Sequence, residues 1–304
     1  GPALGDFKIK QVHTIPSGMD VVFFGGENLH LEANLSIESN QSIVFRAGGE
    51  VVIDAPIFST HSSGKVAIEY GQKYLSSECD VFYRINKPIN LQPGENFSTK
   101  RGKDGGEESY LVINSLGSAG SSTGLDLQGI KGDLTGKFAL GADIDANATK
   151  LWNSGNGFSP IGVPSSSWNT AGRFSGKFDG LGHKISNLNI YGADATSHSS
   201  YSALFGYIDG AEIANFQLLD VNITGKGETG SVAGDSANSI ISNVYATGHI
   251  IGSGFRVGGI TGKSTGVLNY CSVDLNSSGS GYYGGLVGHN FGELRSSHSA
   301  GQFE

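Results

Sequence analysis

The strongest constraint on the fold is a repeat in the last third of the chain. Four segments open alike, and their final glycines follow one another after 28, 28 and 26 residues. The segments are Ala203-Leu204-Phe205-Gly206, Ser231-Val232-Ala233-Gly234, Gly259-Ile260-Thr261-Gly262 and Gly285-Leu286-Val287-Gly288. A unit of this size buries too little apolar surface to fold alone, so neighbouring copies must stack. The repeat therefore predicts a solenoid in which each copy forms one coil.

Short strands joined by turns are predicted along most of the chain. Runs of apolar and β-branched residues occupy 29–37, 42–47, 50–58, 65–70, 216–223, 244–251 and 270–275. Glycine accounts for 48 of 304 residues, about twice its usual share of roughly 7%, and charged residues for only 16%. This composition favours strands and turns over helices. We expect the repeated glycines where a positive φ or a close backbone approach is needed.

One continuous all-β domain with three segments is predicted. Looser strand repeats fill 1–71, and the glycine-rich repeats lie in 132–304. Between them, in 72–131, the regularity lapses, and the mixed charges at 99–108 predict a solvated loop or hairpin excursion, with an interaction site as the alternative. Because the chain stops within a repeat, we expect a fragment of a longer protein.

Charge, hydropathy and cysteine spacing exclude several classes. The formal net charge is -8 and no block of Lys and Arg is present, so no nucleic-acid partner is expected. No run of apolar residues is long enough to suggest a membrane-spanning helix. Cys79 and Cys271 are 192 positions apart, which in a stacked fold predicts no disulfide between them.

The repeats resemble a known bacterial pattern. Gly285-Leu286-Val287-Gly288 is similar to the glycine-rich GLUG motif of large bacterial exoproteins. Four further stretches look like adhesins of the filamentous-haemagglutinin type that use two-partner secretion: GEVVIDAPI at 49–57, YLVINSLG at 110–117, FALGADIDA at 138–146 and FSGKFDGLG at 174–182. The resemblance covers nearly the whole chain. The secretion domain of that family, with its Asn-Pro motifs, is not recognisable in this sequence.

The resemblance implies both a fold and a cellular role. It implies a right-handed parallel β-helix, secreted to the surface of a Gram-negative bacterium through an outer-membrane partner transporter. It also implies attachment, aggregation or biofilm cohesion by binding host or bacterial surface glycans or proteins. GLUG repeats occur as well in some bacterial peptidases that cleave immunoglobulin A, where a separate metal-binding segment does the catalytic work.

Motifs that carry catalysis are weak or absent in the sequence. The zinc-peptidase pattern His-Glu-x-x-His does not occur, and Gly262-Lys263-Ser264 lacks the earlier glycine of a P-loop, because that position is Val257. Gly-x-Ser-x-Gly occurs around Ser122 and Ser264, but a nucleophile elbow needs a helix after it, so turn residues are the preferred interpretation. We therefore expect no catalytic residue, no cofactor and no enzyme.

Carboxylates and histidines offer a possible metal site. Asp143, Asp145 and Asp179 could hold Ca²⁺ if they shared one face of a carbohydrate-active β-helix enzyme. The first two flank Ile144 in strand-like alternation, and Asp179 precedes a glycine as turn-capping aspartates do, so structural roles are favoured. The eight histidines are scattered without metal-ligand spacing, and no metal is expected.

Aromatic residues and glycosylation motifs are the candidate surface sites. Trp152, Trp168, Tyr282 and Tyr283 could stack on sugar rings or could anchor the core and loops. Only one of the two adjacent tyrosines should be exposed if they lie on a strand. Asn-x-Ser/Thr motifs, which suit a secreted protein, occur at Asn34, Asn40, Asn96, Asn147, Asn222 and Asn276.

The sequence thus predicts a segment of a secreted adhesin whose rigid stalk presents a binding surface. Two alternatives remain open at this stage. A structural spacer without a ligand would show uniformly polar faces, and a polysaccharide lyase or hydrolase would show clustered acidic residues in an open groove.

Overall fold

The structure, a computed structural model, describes residues 5–11, 13–15, 19–165, 171–192, 201–279 and 281–303. Within these ranges there is no α-helix, and the strands pair mainly in parallel, which confirms the predicted all-β class. Short 3-10 segments lie at Ser76–Glu78, Gln128–Gly132, Asn147–Leu151 and Asn153–Gly155. The chain divides into two compact units.

Unit 1 comprises Gly1–Asn114, Lys137–Ala142 and Gly180–His183. Its strands are β1 (Phe7–Ile9), β2 (His13–Ile15), β3 (Val21–Gly25), β4 (Leu29–Leu31), β5 (Leu35–Ile37), β6 (Ser42–Ala47), β7 (Val51–Ile53), β8 (Ile57–Ser59), β9 (Lys65–Tyr70), β10 (Arg84–Ile85), β11 (Ile89–Asn90), β12 (Gly94–Arg101), β13 (Glu107–Ile113) and β14 (Lys137–Leu140). Each strand from β1 to β9 pairs in parallel with the strand three places further along the chain. The resulting strand orders are β1-β4-β7-β10, β2-β5-β8-β11 and β3-β6-β9-β12. Three sheets therefore share one core.

The core of unit 1 follows from strand alternation and register. Ile9, Leu31 and Ile53 are register partners in successive strands, and all are buried. Because side chains on a strand alternate between its two faces, parallel register repeats the same inward position on every level. Burying each such side chain contributes about 1.5–3 kcal/mol. The stacked levels make one continuous apolar column.

The segment 72–131 holds both paired strands and a hairpin. Strands β10, β11 and β12 continue the three sheets in parallel register. After β12 the chain turns back, and β13 pairs with β12 antiparallel, with Lys100 opposite Glu107. The charged stretch 99–108 thus forms the end of a β-hairpin. The predicted division into three segments stays a prediction.

Unit 2 comprises Ser115–Gly136, Asp143–Asp179 and Lys184–Glu304. Its strands are β15 (Ile144–Asp145), β16 (Lys177–Asp179), β17 (Lys184–Ser186), β18 (Asn189–Tyr191), β19 (Tyr201–Ser202), β20 (Phe205–Asp209), β21 (Glu212–Gly225), β22 (Glu228–Thr229), β23 (Ala233–Ala237), β24 (Ile240–Gly252), β25 (Arg256–Gly258), β26 (Thr261–Ser264), β27 (Val267–Asn269), β28 (Ser272–Gly279), β29 (Tyr282–Gly284), β30 (Val287–Asn290), β31 (Glu293–Arg295) and β32 (His298–Phe303). Two four-stranded sheets have the orders β19-β22-β25-β29 and β20-β23-β26-β30. A third set of parallel pairs joins β16, β17 and β18 to β21, and then β21 to β24.

Asparagines shape one corner of unit 2. Asn215 and Asn243 occupy equivalent places in β21 and β24, and both have positive φ, at 61° and 50°. Asn243 Nδ2 donates to Asn215 Oδ1 at 2.9 Å, and Asn215 Nδ2 donates to Asp179 Oδ2 at 2.9 Å. Asparagine tolerates the left-handed region better than most residues. The corner is therefore held by a ladder of side-chain amides.

The glycines of the repeat openings serve close backbone approach. Gly206, Gly234, Gly262 and Gly288 do not have positive φ. A Cβ at Gly234 would lie 2.7 Å from Gly206 O and 2.9 Å from Glu228 O. A side chain at one of these positions would collide with the backbone of the neighbouring strands, and those strands would have to move apart. These glycines are therefore needed for close backbone approach and not for a positive φ.

The two cysteines are free and buried, Cys79 in unit 1 and Cys271 in unit 2. Burial raises the pKa of the Cys271 thiol to about 12, because the apolar surroundings disfavour a thiolate.

Candidate functional site

The predicted aromatic sites lie apart from one another. Trp152 is partly buried and stacks on Phe158, with ring centroids 6.4 Å apart. Trp168 lies outside the described residues. Tyr282 is 51% exposed, whereas Tyr283 is partly buried and its hydroxyl donates to the carbonyl of Ser277 at 2.5 Å. The adjacent tyrosines thus differ in exposure.

The three candidate aspartates each have a separate structural partner. Asp179 is buried and accepts the Asn215 hydrogen bond of the corner ladder. Asp145 accepts from the Asn147 backbone N–H at 3.0 Å and from Asn187 Nδ2 at 2.9 Å, and the side-chain bond contributes most to lowering its pKa. Asp143 is exposed and lies 3.6 Å from Lys184 Nζ. The three carboxylates do not converge.

The remaining chemical candidates are turn residues or isolated groups. Ser264 is buried at the end of β26 and accepts the Gly266 N–H at 3.2 Å, while Ser122 is exposed in a turn. Among the described residues no α-helix follows either serine; a short 3-10 segment, Gln128–Gly132, lies six residues after Ser122. In the ranges described above, no three His, Cys, Asp or Glu side chains meet as a metal site requires.

Glycosylation motifs differ in their access to solvent. Asn34, Asn40, Asn147 and Asn276 are exposed, and Asn222 is partly buried with its amide bonded to the Tyr191 hydroxyl at 2.7 Å. Asn96 is buried, and its Nδ2 donates to Ser62 O at 2.9 Å and Gln92 O at 3.0 Å. Modification of folded Asn96 would break both bonds.

Eight side chains, of which the sequence analysis proposed only Tyr282 as a site residue, form the most distinctive cluster. Two of the parallel sheets in unit 2 place them in register, in two columns of four. We call this cluster the polar double column; its four levels are Tyr201 with Tyr207, Glu228 with Asp235, Arg256 with Lys263, and Tyr282 with His289.

Ion pairs connect the second and third levels of the polar double column. Arg256 Nη1 contacts Glu228 Oε1, and Lys263 Nζ lies 3.0 Å from Asp235 Oδ2. Arg256 Nε also donates to His289 Nδ1 on the fourth level at 3.0 Å. The parallel register sets each base directly above an acid, so every charge in these two levels has an opposite partner.

Burial makes this cluster electrostatically unusual. Glu228 and Asp235 are each only 5% exposed, and Glu228 Oε2 and Asp235 Oδ1 have no hydrogen-bond partner. Desolvation raises the pKa of Glu228 to about 7 and is opposed by Arg256, while the charge of Asp235 raises it further. Desolvation also raises the pKa of Asp235. Burial thus raises the pKa of both carboxyl groups of the second level.

Aromatic rings border the cluster at both ends. Tyr201 and Tyr207 lie 5.5 Å apart on the first level, and burial raises the pKa of both hydroxyls. On the fourth level the rings of Tyr282 and His289 are nearly parallel, with centroids 4.5 Å apart, and Phe255 packs edge-on against Tyr282. These rings limit the access of water to the charged levels.

A polar groove lies on unit 1, beside the β12–β13 hairpin. Its volume is about 310 Å³. Its lining side chains are small or charged: Ser42, Val44, Lys65, Ala67, Glu69, Ser98, Thr99, Lys100 and Glu107. Glu69 is held by Arg46, whose Nε donates at 2.5 Å and Nη2 at 3.0 Å. The groove therefore has a fixed charged wall.

Comparison with known proteins points to a peptidase family. The model of the M26 IgA1-specific metallo-endopeptidase N-terminal region matches residues 124–248, which is less than half of the chain. The matched range includes the first two levels of the polar double column and most of β24.

Two curated proteins are similar to parts of the chain. Halomucin of Haloquadratum walsbyi is 39% identical over 163 residues, which span 50% of this chain and 2% of halomucin. The immunoglobulin A1 protease of Streptococcus sanguinis is 29% identical over 143 residues, spanning 45% of this chain and 6% of that protein. No solved structure matches the chain significantly. The chain thus corresponds to a small part of each relative.

These findings correct two predictions. The adhesin prediction is wrong, because the family match and the protease relative point to an M26-like region. The expectation that the protein is not an enzyme is contradicted by the same findings. Stacked repeats indicate a scaffold, and one scaffold serves unrelated functions, so the resemblance of the repeats to adhesins misdirected the first prediction. The absence of catalytic motifs from this section misdirected the second.

The expected location outside the cell is supported. Both relatives are secreted or cell-surface proteins, although halomucin comes from an archaeon, so the Gram-negative surface is not shown. Across the part of the chain that the structure describes, no helix has the length and hydropathy to span a membrane.

Proposed function

We propose that this chain is a section of the N-terminal region of a secreted, M26-like metallo-endopeptidase that acts on immunoglobulin A1. The observation that carries the proposal is the family match over residues 124–248, supported by similarity to a named immunoglobulin A1 protease. Since the chain spans 6% of that relative, the activity belongs to the parent protein as a whole.

The fold that we propose for this section is the right-handed parallel β-helix implied by the sequence resemblance. The register supports it, because each unit builds parallel sheets from strands that recur at a regular interval along the chain. Such a column resists bending, since each level is joined to the next by backbone hydrogen bonds and a continuous core.

The role of this section, in our proposal, is to hold and orient the substrate for a metal site elsewhere in the parent chain. The polar groove beside the β12–β13 hairpin is the surface that suits a polar polypeptide, because its walls carry both Lys and Glu side chains. Orienting a substrate lowers the entropic part of the barrier without any reacting group on the scaffold.

Surface plasmon resonance of this chain on immobilised immunoglobulin A1 tests the proposed role. We expect saturable binding to immunoglobulin A1 and none to immunoglobulin G. The matched variants are Lys100→Gln in the groove, which should weaken binding, and Lys184→Gln outside it, which should not. Equal responses to the two immunoglobulins would contradict a substrate-orienting role.

Several expectations of the resemblance remain predictions. They are kinship with filamentous-haemagglutinin-type exoproteins, a Gram-negative source, export through an outer-membrane transporter, and glycans or other surface proteins as partners. The aromatic candidates Trp152, Trp168, Tyr282 and Tyr283 and the six glycosylation motifs also stay predictions. Mass spectrometry of the natively produced protein would show which of the motifs carry a glycan.

A further inference from the structure

We propose that Lys263 and Asp235 become joined by an isopeptide bond, an amide between the lysine Nζ and the aspartate Cγ, with Glu228 relaying the proton. The two residues are register partners in the neighbouring strands β26 and β23, and Nζ lies 3.0 Å from Oδ2. The bond would tie one repeat covalently to the next. It goes beyond the proposed function and does not rest on it.

Burial favours the uncharged form of the acid in this pair. The Lys263 side chain is 23% exposed and the Asp235 side chain 7% exposed. Charges removed from water are costly, so burial favours the protonated carboxyl of Asp235, which in the proposed step takes its proton from Lys263 Nζ 3.0 Å away. The raised pKa of Asp235 shows this tendency for the acid.

A second buried carboxyl is in place to move protons. Glu228 lies close enough to Asp235 for that charge to add to the effect of burial, and with Arg256 opposing both, the pKa of Glu228 is raised to about 7. A group with such a pKa can both accept and donate a proton near neutral pH. Glu228 Oε2 and Asp235 Oδ1 have no hydrogen-bond partner, so each carboxyl keeps an oxygen available.

The proposed step balances without another reactant. Neutral Lys263 Nζ forms a bond to Cγ of protonated Asp235, and the nitrogen gives a proton to Glu228. Glu228 passes that proton to the departing hydroxyl, the Cγ–O bond breaks, and one water leaves. Glu228 ends in its starting state, and nothing is oxidised or reduced.

The other lysine and acid pairs show why this site is singled out. Lys184 and Asp143 are each about half exposed, with the nearest nitrogen and oxygen 3.6 Å apart. Lys177 lies 3.0 Å from Glu212, whose side chain is 40% exposed. The acids of both pairs are far more exposed than Asp235, so burial does not favour their uncharged form as it does for Asp235.

Mass spectrometry of the purified, folded chain tests the proposal. We expect an intact mass about 18 Da below that of the sequence, and a digest in which the peptides bearing residues 235 and 263 are covalently joined. Glu228→Gln keeps the lysine and aspartate but removes the relay, so it should restore the full mass in a chain that circular dichroism shows to be folded. Lys184→Arg is the control and should leave the mass deficit unchanged.

The peptide map of the unaltered chain decides the outcome even if a variant fails to fold. Full mass after prolonged incubation would overturn the cross-link. A water loss that maps to an Asp-Gly pair such as Asp104-Gly105 would overturn it as well. A joined peptide that persists in Glu228→Gln would overturn the assignment of Glu228 as the relay.

Discussion

At the scale of single residues, the polar double column concentrates the unusual chemistry. Every residue of its second column directly follows the final glycine of a repeat opening: Tyr207, Asp235, Lys263 and His289. The sequence repeat therefore contains the signal that could have placed these four side chains in register. It does not contain their burial, which depends on how closely the neighbouring sheet approaches.

Glu228 makes the stability of unit 2 depend on pH. Its pKa in the folded chain is about 7, above the ordinary value of 4.5, so the folded state binds the proton more tightly than the unfolded state. The stabilisation is fully present below pH 4.5 and is lost as the pH rises through about 7. We expect the free energy of unfolding to fall by about 1–3 kcal/mol between pH 5 and 8.

Urea unfolding of Glu228→Gln at the two pH values measures this effect. The neutral amide cannot ionise, so the variant should lose most of the difference between pH 5 and pH 8. Glu212→Gln removes a more exposed acid of the same unit and is the matched control. Identical pH dependence in Glu228→Gln and the unaltered chain would show that the buried carboxyl does not titrate in this range.

At the scale of strands and corners, the hydrophobic pattern predicts where strands lie, but it does not predict the backbone contacts at the corners. Strands β6 and β9 coincide with the predicted runs 42–47 and 65–70, because alternation marks an inward face. The corner at Asn215 and Asn243 was not predicted, since asparagine is common throughout this chain and its positive φ is visible only in three dimensions.

Gly234→Ala tests the close approach at the repeat openings. Its Cβ would lie 2.7 Å from Gly206 O and 3.0 Å from Tyr201 Cβ, so the strands must shift apart. We expect a loss of about 1–3 kcal/mol in thermal or urea unfolding. Gly120→Ala has open space around the added carbon and should change stability little. Equal stability of the two variants would mean that the openings tolerate a side chain.

The asparagine ladder supplies a second test at this scale. Asn215→Ala removes the hydrogen bonds to Asp179 and Asn243 and puts a Cβ without a polar group at φ 61°. We expect about 2–4 kcal/mol of destabilisation, from two lost buried hydrogen bonds and left-handed strain. Asn215→Gly relieves the strain but not the lost bonds, so it should fall between alanine and the unaltered chain. If Asn215→Gly destabilised the chain as much as Asn215→Ala, the left-handed backbone conformation would contribute nothing to the difference in stability.

At the scale of the whole molecule, the all-β architecture was accessible from the sequence but the function was not. The repeat predicts stacked units, since a unit of this size cannot bury its apolar face alone, and the glycine and β-branched content favours strands over helices in those units. Function depends on what the scaffold is attached to and what it binds, and the repeat pattern of the sequence contains no information about either. The match over residues 124–248 is the observation on which the proposed function rests.

The cleavage of immunoglobulin A1 by the parent protein tests the central claim most directly. Gel electrophoresis and mass spectrometry should show cleaved heavy chains, no cleavage when a chelator removes the metal, and a raised KM when this chain is deleted from the parent. A folded parent protein that leaves immunoglobulin A1 intact, with or without added zinc, would contradict the assignment to an M26-like endopeptidase.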